Sequence, residues 1–406
     1  MNLSFNQKLL QINESATVAL ADRVRRLRAS GKRVIGLQTG DPDFATPQPI
    51  LDVAVQAMQQ GLTHYGDSRG LPELRKAIAH KLLTVNRVEY DPETEILATC
   101  GGVHAYYCAL GAILNPGDEV LVPDPAWMTH ANAVSVLGAC AVRVPAKPEN
   151  DFWPTIDQWR SVLSTRSRAL VINSPCNPTG SVASAEYLAE LHALAAMRGL
   201  YVISDEVYEN ILYDGRRHVC FAGLSGARSH TLIVNSLSKT YSMTGWRVGY
   251  LAAPANVIAQ ALKVSQHTIT NLAPFVQKAA AFALLEPDMQ AAALRMRDAY
   301  ARRREHVLQI SRSRSPSGVR FQAPQGAFYF FLDVRKLRSP SSVIAEELLA
   351  QCAIAMVPGS VYGNCGEGFL RMTIAASDQE IEAGVLGLLK WAATQEGQTP
   401  DVAVDR

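Results

Sequence analysis

Apolar residues along this chain fall into two alternating textures. Short runs at 95–99, 119–123, 169–173, 201–204, 231–235 and 248–252 are apolar at most positions. A strand with one wet face alternates apolar and polar residues, so runs that largely lack this alternation predict strands buried on both faces. Between them lie longer stretches whose apolar residues recur every three or four positions, as in a helix with one solvated side. In the clearest of these, Ser184 can cap the first turn, Glu186 sits within it, Leu188, Leu191 and Leu194 form the stripe, and Gly199 can stop it. Strands alternating with helices predict an α/β fold with a mostly parallel sheet flanked by helices.

The texture changes after residue 285. A long Arg- and Ala-rich helix is expected over 289–311, followed by mixed strands and helices, and a helix over 16–30 is expected to fold beside them. The chain is therefore read as an N-terminal segment, 1–47, packing with a small α+β domain, 286–395, around a large domain, 48–285. A polar tail, 396–406, is expected to be disordered. The run Ser311-Arg-Ser-Arg-Ser-Pro-Ser317 reads as a solvated loop rather than a nucleic-acid patch.

Charge narrows the class of partner. The 39 basic and 37 acidic side chains nearly cancel, which gives no broad field for nucleic acid or an anionic membrane and points to small-molecule substrates. The seven cysteines are odd in number, scattered and never spaced Cys-x-x-Cys, which argues against a disulfide framework and against a metal site. The start lacks a signal peptide's basic and apolar regions, and no apolar run is long enough to span a membrane, so the cytoplasm is the expected location.

The candidate chemistry centres on Lys239. It follows the apolar run 231–235, which places its amine at a strand's carboxyl end, where open α/β sheets hold their ligands. Ser236, Ser238 and Arg247 flank it as donors suited to a doubly charged phosphate. An amine able to attack a carbonyl, set beside a phosphate cradle, suggests pyridoxal phosphate. Gly101 and Gly102 stand between a strand and an expected helix, where backbone N–H groups and the helix dipole favour the same anion.

The string Asn235-Ser-Leu-Ser-Lys-Thr-Tyr-Ser-Met-Thr-Gly-Trp-Arg-Val-Gly249 resembles the Schiff-base signature of the class I and II aminotransferases, fold-type-I pyridoxal phosphate enzymes. Gly40-Asp-Pro-Asp-Phe44, Tyr65-Gly-Asp-Ser-Arg-Gly70, Asn173-Ser-Pro-Cys-Asn-Pro-Thr-Gly180, Ser204-Asp-Glu-Val-Tyr208, Pro324-Gln-Gly-Ala-Phe-Tyr329 and the surroundings of Arg371 resemble further blocks of that family, in its order. The resemblance implies that Lys239 carries pyridoxal 5′-phosphate and shuttles a proton. It implies that Asp205 pairs with the pyridine nitrogen, and that Tyr208 and Asn177 bond the phenolic oxygen. Trp127 would stack on the ring, and Gly102 and Val103 would hold the phosphate through their backbone. Arg371 would bind the substrate α-carboxylate with Gly40 close by, and Asn177 and Trp127 would also border the substrate. Tyr65 would reach the phosphate across a homodimer interface.

The implied reaction is ping-pong transfer of an amino group between an L-amino acid and a 2-oxo acid. The same scaffold supports amino-acid oxidases, decarboxylases and lyases, which stay open, whereas a DNA-binding regulator would need a helix-turn-helix module that does not precede this region. Two residues leave alternatives. Arg371, among apolar neighbours, needs an anion that could be an internal carboxylate instead of a substrate. Val103 stands where the aspartate-specific members are expected to carry a lysine, so a neutral, aromatic or unusual amino acid is favoured over aspartate, with Ser15, His104 and His130 as candidate readers of its side chain.

Overall fold

Strands covered on both faces form the centre of the computed structural model, which describes residues 5, 9–12, 14–314 and 318–396. Seven of them, β1 (Ile96–Thr99), β2 (Glu119–Asp124), β3 (Cys140–Pro145), β4 (Ser167–Asn173), β5 (Tyr201–Asp205), β6 (Thr231–Ser236) and β7 (Gly249–Ala252), make one sheet in the order β1-β7-β6-β5-β4-β2-β3. Only β7 runs against its neighbours. The six expected strands are all present. The seventh, β3, was not foreseen: among the described residues it pairs with β2 alone, at the sheet edge, and Arg143 breaks its otherwise apolar run.

The helices follow their local signals. Ser184 Oγ accepts from Tyr187 N, Gly199 ends the Ala185–Arg198 helix in the left-handed region at φ 62°, and Leu188, Leu191 and Leu194 are buried on β4 and β5. Each such leucine contributes about 1.5–3 kcal/mol. No helix among the described residues is long and apolar enough to cross a membrane.

A second, three-stranded antiparallel sheet sets Phe369–Thr373 between Val357–Pro358 and Tyr329–Asp333. The long helix runs Pro287–Ser313, so Ser311, Arg312 and Ser313 continue it rather than forming a loop, and residues 315–317 lie outside the described residues. The N-terminal helix, Ala16–Ala29, packs through Val24 against Val34, Leu349 and Ala355, while Ile35–Gly36 pairs with Ile354–Ala355. Most of the expected tail, 397–406, is also outside the described residues; Glu396 closes the Asp378–Glu396 helix.

Candidate active site

The parallel strands bring their carboxyl ends to one edge, and a cavity of about 390 Å³ opens there. It is bordered by Asn173 at the end of β4, Asp205 of β5, Ser236 of β6 and, from the smaller sheet, Arg371 and Tyr329. Lys239 sits in the single helical turn Leu237–Thr240 that β6 runs into, and Ser236 caps that turn by accepting from Ser238 N at 3.0 Å. Lys239 Nζ donates to the Gly40 carbonyl at 2.6 Å. Burial lowers its pKa to about 8, with Asp41 opposing and Arg371 and Arg247 assisting the shift. A desolvated amine at that value is available as a nucleophile near neutral pH.

A helix start, two serine hydroxyls and an arginine lie beside it. The Gly101–Ile113 helix opens at Cys100, whose side chain makes no capping bond, so Gly102 and Val103 enter the first turn with no capping acceptor from that residue. Arg247 packs so closely that a Cβ on Gly101 would lie 2.7 Å from its Nη2, and a Cβ on Gly249 would lie 2.9 Å from Gly102 N. Gly249 is therefore required by close approach of backbone, and Gly101 by its φ of 77°. Ser236 Oγ and Ser238 Oγ lie 2.7 Å apart, facing the same corner. Among the described residues no carboxylate lies within ion-pair distance of Arg247, and its Nη1 donates to the Thr244 carbonyl at 2.9 Å.

Asp205, almost fully buried, accepts from His130 Nε2 at 2.9 Å and from Val207 N at 3.3 Å, and among the described residues no lysine or arginine is in ion-pair contact with it. Trp127 meets His130 edge-on, with ring centroids 5.3 Å apart. Tyr208 Oη lies 2.9 Å from Tyr329 Oη, and burial holds the Tyr208 pKa well above the usual phenol range. A Cβ on Gly40 would come within 2.6 Å of Tyr329 Oη, so the backbone there can approach only as glycine.

Arg371 is buried between the rings of Tyr329 and Tyr362, 4.4 and 5.3 Å from their centroids. Its Nη1 donates to Asn177 Oδ1 at 3.0 Å and its Nη2 to the Gln38 carbonyl at 2.6 Å, while buried Nε has no partner among the described residues. Among the described residues no internal carboxylate pairs with it, which removes the salt-bridge reading. A buried guanidinium with neutral partners and a free edge fits a carboxylate from outside.

A polar cluster lies behind the strand ends, away from the cavity. The buried Lys81 ammonium is hydrogen-bonded to Glu209, which also accepts from Asn235 Nδ2 at 2.7 Å and Asn86 Nδ2 at 2.8 Å. Asn235 in turn accepts from Ser236 N at 2.7 Å, tying this cluster to the cavity edge at Ser236. Glu206 accepts from His218 Nε2 and Ser204 Oγ, both at 2.9 Å.

Of the residues singled out from the sequence, Gly40, Gly102, Val103, Trp127, Asn177, Asp205, Tyr208, Ser236, Ser238, Lys239, Arg247 and Arg371 all border the one cavity. Tyr65 does not; it is 88 % exposed in the single chain. Two expected side-chain readers are corrected: His130 turns to Asp205, and His104 bonds Cys100 N and lies near Thr268. Ser15 contacts Thr17 and Met128, and it is Thr17, with Val18, Ala21 and Arg25 of the same helix, that borders the cavity. These, Tyr329 and Gln38 were missed, because a surface-type helix and a backbone carbonyl acceptor carry no chemical signature in sequence.

The family model "Aminotransferase class I and II" matches residues 32–386. The chain belongs to the class I and II aminotransferases. It is 40% identical over 380 residues to an aspartate aminotransferase of Pyrococcus abyssi, covering 94% of this chain and 96% of that one. It is 35% identical to aromatic-amino-acid aminotransferase 2 of Thermococcus litoralis, again over 94% and 96% of the two chains. Its fold matches the structure of Thermus thermophilus aspartate aminotransferase with maleate at a TM-score of 0.91 and 35% identity, over 96% and 99% of the two chains. The protein is thus a fold-type-I, pyridoxal 5′-phosphate-dependent aminotransferase. The donor set fits that cofactor: a desolvated amine, an open helix start with a cation and two hydroxyls, and an isolated buried carboxylate, all around one cavity.

Proposed function

We propose that this aminotransferase acts on a neutral or aromatic L-amino acid in preference to aspartate, passing its amino group to a 2-oxo acid in two half-reactions. The observation that carries the reading is the pairing in one cavity of Arg371, which lacks an internal carboxylate, with an apolar rim of Val18, Ala21 and Val103. At that rim Arg25 is paired with Asp22 and Asp41 adds a negative charge, which disfavours a second substrate carboxylate.

When bound, pyridoxal 5′-phosphate supplies a carbonyl carbon for the amine and a ring that delocalises the charge left by a departing α-proton. Lys239 would hold the cofactor through its amine, and the freed amine is the group placed to take up and give back the substrate's α-proton. Its lowered pKa leaves a useful neutral fraction for that task. Asp205, backed by His130, keeps a proton on the ring nitrogen. Asn177 gives its Oδ1 to Arg371, which leaves Nδ2 as the donor to the phenolic oxygen beside Tyr208. Gly102, Val103, Ser236, Ser238 and Arg247 would hold the phosphate, and Trp127 would cover the ring.

We also propose a homodimer in which exposed Tyr65 completes the partner's phosphate site. The division at about residues 47 and 285 is supported by the N-terminal helix packing on Leu349 and Ala355. Seven free thiols support a reducing, cytoplasmic setting.

The test is a single half-reaction with one amino acid and no acceptor. Phenylalanine should yield one equivalent of 2-oxo acid per site faster than aspartate does. Faster turnover of aspartate would overturn the substrate preference, and oxygen uptake or ammonia release would favour an oxidase or lyase.

A further inference from the structure

Cys100 offers no capping oxygen to the helix that opens the phosphate corner, yet the turn is held by another group. His104, buried at the fourth helical position, reaches back so that its Nδ1 accepts from Cys100 N at 3.1 Å. A backbone N–H can only donate, so Nδ1 carries no proton and Nε2 carries it. Nε2 lies 3.1 Å from Thr268 Oγ1, whose own hydrogen goes to the Val264 carbonyl at 2.8 Å, leaving that oxygen free to accept. The imidazole therefore has one neutral tautomer that satisfies both contacts, and Cys108 Sγ closes the same side at 3.2 Å. Burial lowers the His104 pKa, in keeping with a neutral ring.

We propose that His104 is a positioning residue for the cofactor phosphate. By pinning Cys100 N it fixes the 100–103 turn at the angle that points Gly102 N–H and Val103 N–H into the cavity, without touching the ligand itself. A side-chain oxygen at the cap position would compete for those same amides; a histidine four residues on satisfies the Cys100 N–H and leaves them open. This rests on the reading of the turn as the phosphate cradle, proposed above.

The experiment uses apo-enzyme reconstituted with pyridoxal 5′-phosphate or with pyridoxal, which lacks the phosphate, and reads affinity from the absorbance of the lysine-bound cofactor. Asparagine places its Oδ1 where Nδ1 stands, and glutamine places its Nε2 where the ring Nε2 stands. His104→Asn should keep pyridoxal 5′-phosphate affinity within about twofold of the parent, whereas His104→Gln and His104→Phe lose about tenfold, the scale of one backbone hydrogen bond. Pyridoxal affinity should change in none of them. If His104→Phe does not fold, the asparagine and glutamine variants decide the matter. Equal weakening for both aldehydes, or an asparagine variant as weak as the glutamine one, overturns the proposal. Parent enzyme that binds both aldehydes equally well overturns the cradle reading, and the role of His104 with it.

Discussion

Replacing Arg371 by lysine keeps the positive charge and removes the planar fork. In the structure Nη1 and Nη2 each spend one N–H on Asn177 and Gln38, leaving a second N–H on each Nη for a ligand, while Nε is buried and unpartnered among the described residues. A bidentate carboxylate would take two of these as charge-assisted bonds worth about 1.5–3 kcal/mol each. A lysine ammonium recovers about one of them, so Arg371→Lys should lose about 2–3 kcal/mol, or roughly 30- to 150-fold in kcat/KM. The assay compares an amino acid with the amine that lacks its carboxylate. The parent enzyme should favour the amino acid strongly, the variant should lose most of that preference, and the poor rate with the amine should hardly change. An equal loss on both compounds would mean that Arg371 merely supports the fold, refuting the argument from its free edge.

The other predictions concern charge behind and around the cavity. Lys81→Met leaves the Glu209 carboxylate buried without its cation and should cost about 3–5 kcal/mol in urea unfolding; a cost below about 1 kcal/mol would show that the ion pair is dispensable. Burial opposes charge on His218, but the Glu206 carboxylate outweighs it and raises its pKa above the ordinary 6.5. Its contribution to stability is therefore complete below that value and disappears as pH rises through the higher folded value, so the gap between parent and His218→Gln should shrink from pH 6 to 9. A gap that stays constant would contradict the raised value. Val103→Lys should increase kcat/KM for aspartate relative to phenylalanine at least about tenfold, as one added ion pair allows, and an unchanged ratio would remove Val103 from specificity.

How far the sequence revealed this arrangement depended on whether a residue's role is local. The cap at Ser184 and the stop at Gly199 were legible because a helix end is decided within a few residues. The buried strands were legible because two covered faces demand apolar side chains almost throughout. Strand β3 was not: Cys140, Ala141, Val142 and Val144 are apolar, but Arg143 interrupts the run at an edge position, and the segment does not read as a buried strand. Residues that match a family block stood out individually, but their contacts did not. His130 meets Asp205 across 75 positions, and no local pattern marks it as the carboxylate's partner rather than a substrate reader. Lys81 occupies a helix whose sequence gives no sign that this lysine, unlike its neighbour Lys76, points inward to Glu209. Arg371 could be assigned an anion from its apolar neighbours, but only the packing showed that no carboxylate among the described residues supplies one.

Reduction of the holoenzyme with borohydride, followed by proteolysis and peptide mass analysis, tests the central claim most directly. A cofactor adduct on the peptide containing Lys239, absent from Lys239→Ala, is the predicted result. An adduct on another lysine, or none at all, would contradict it.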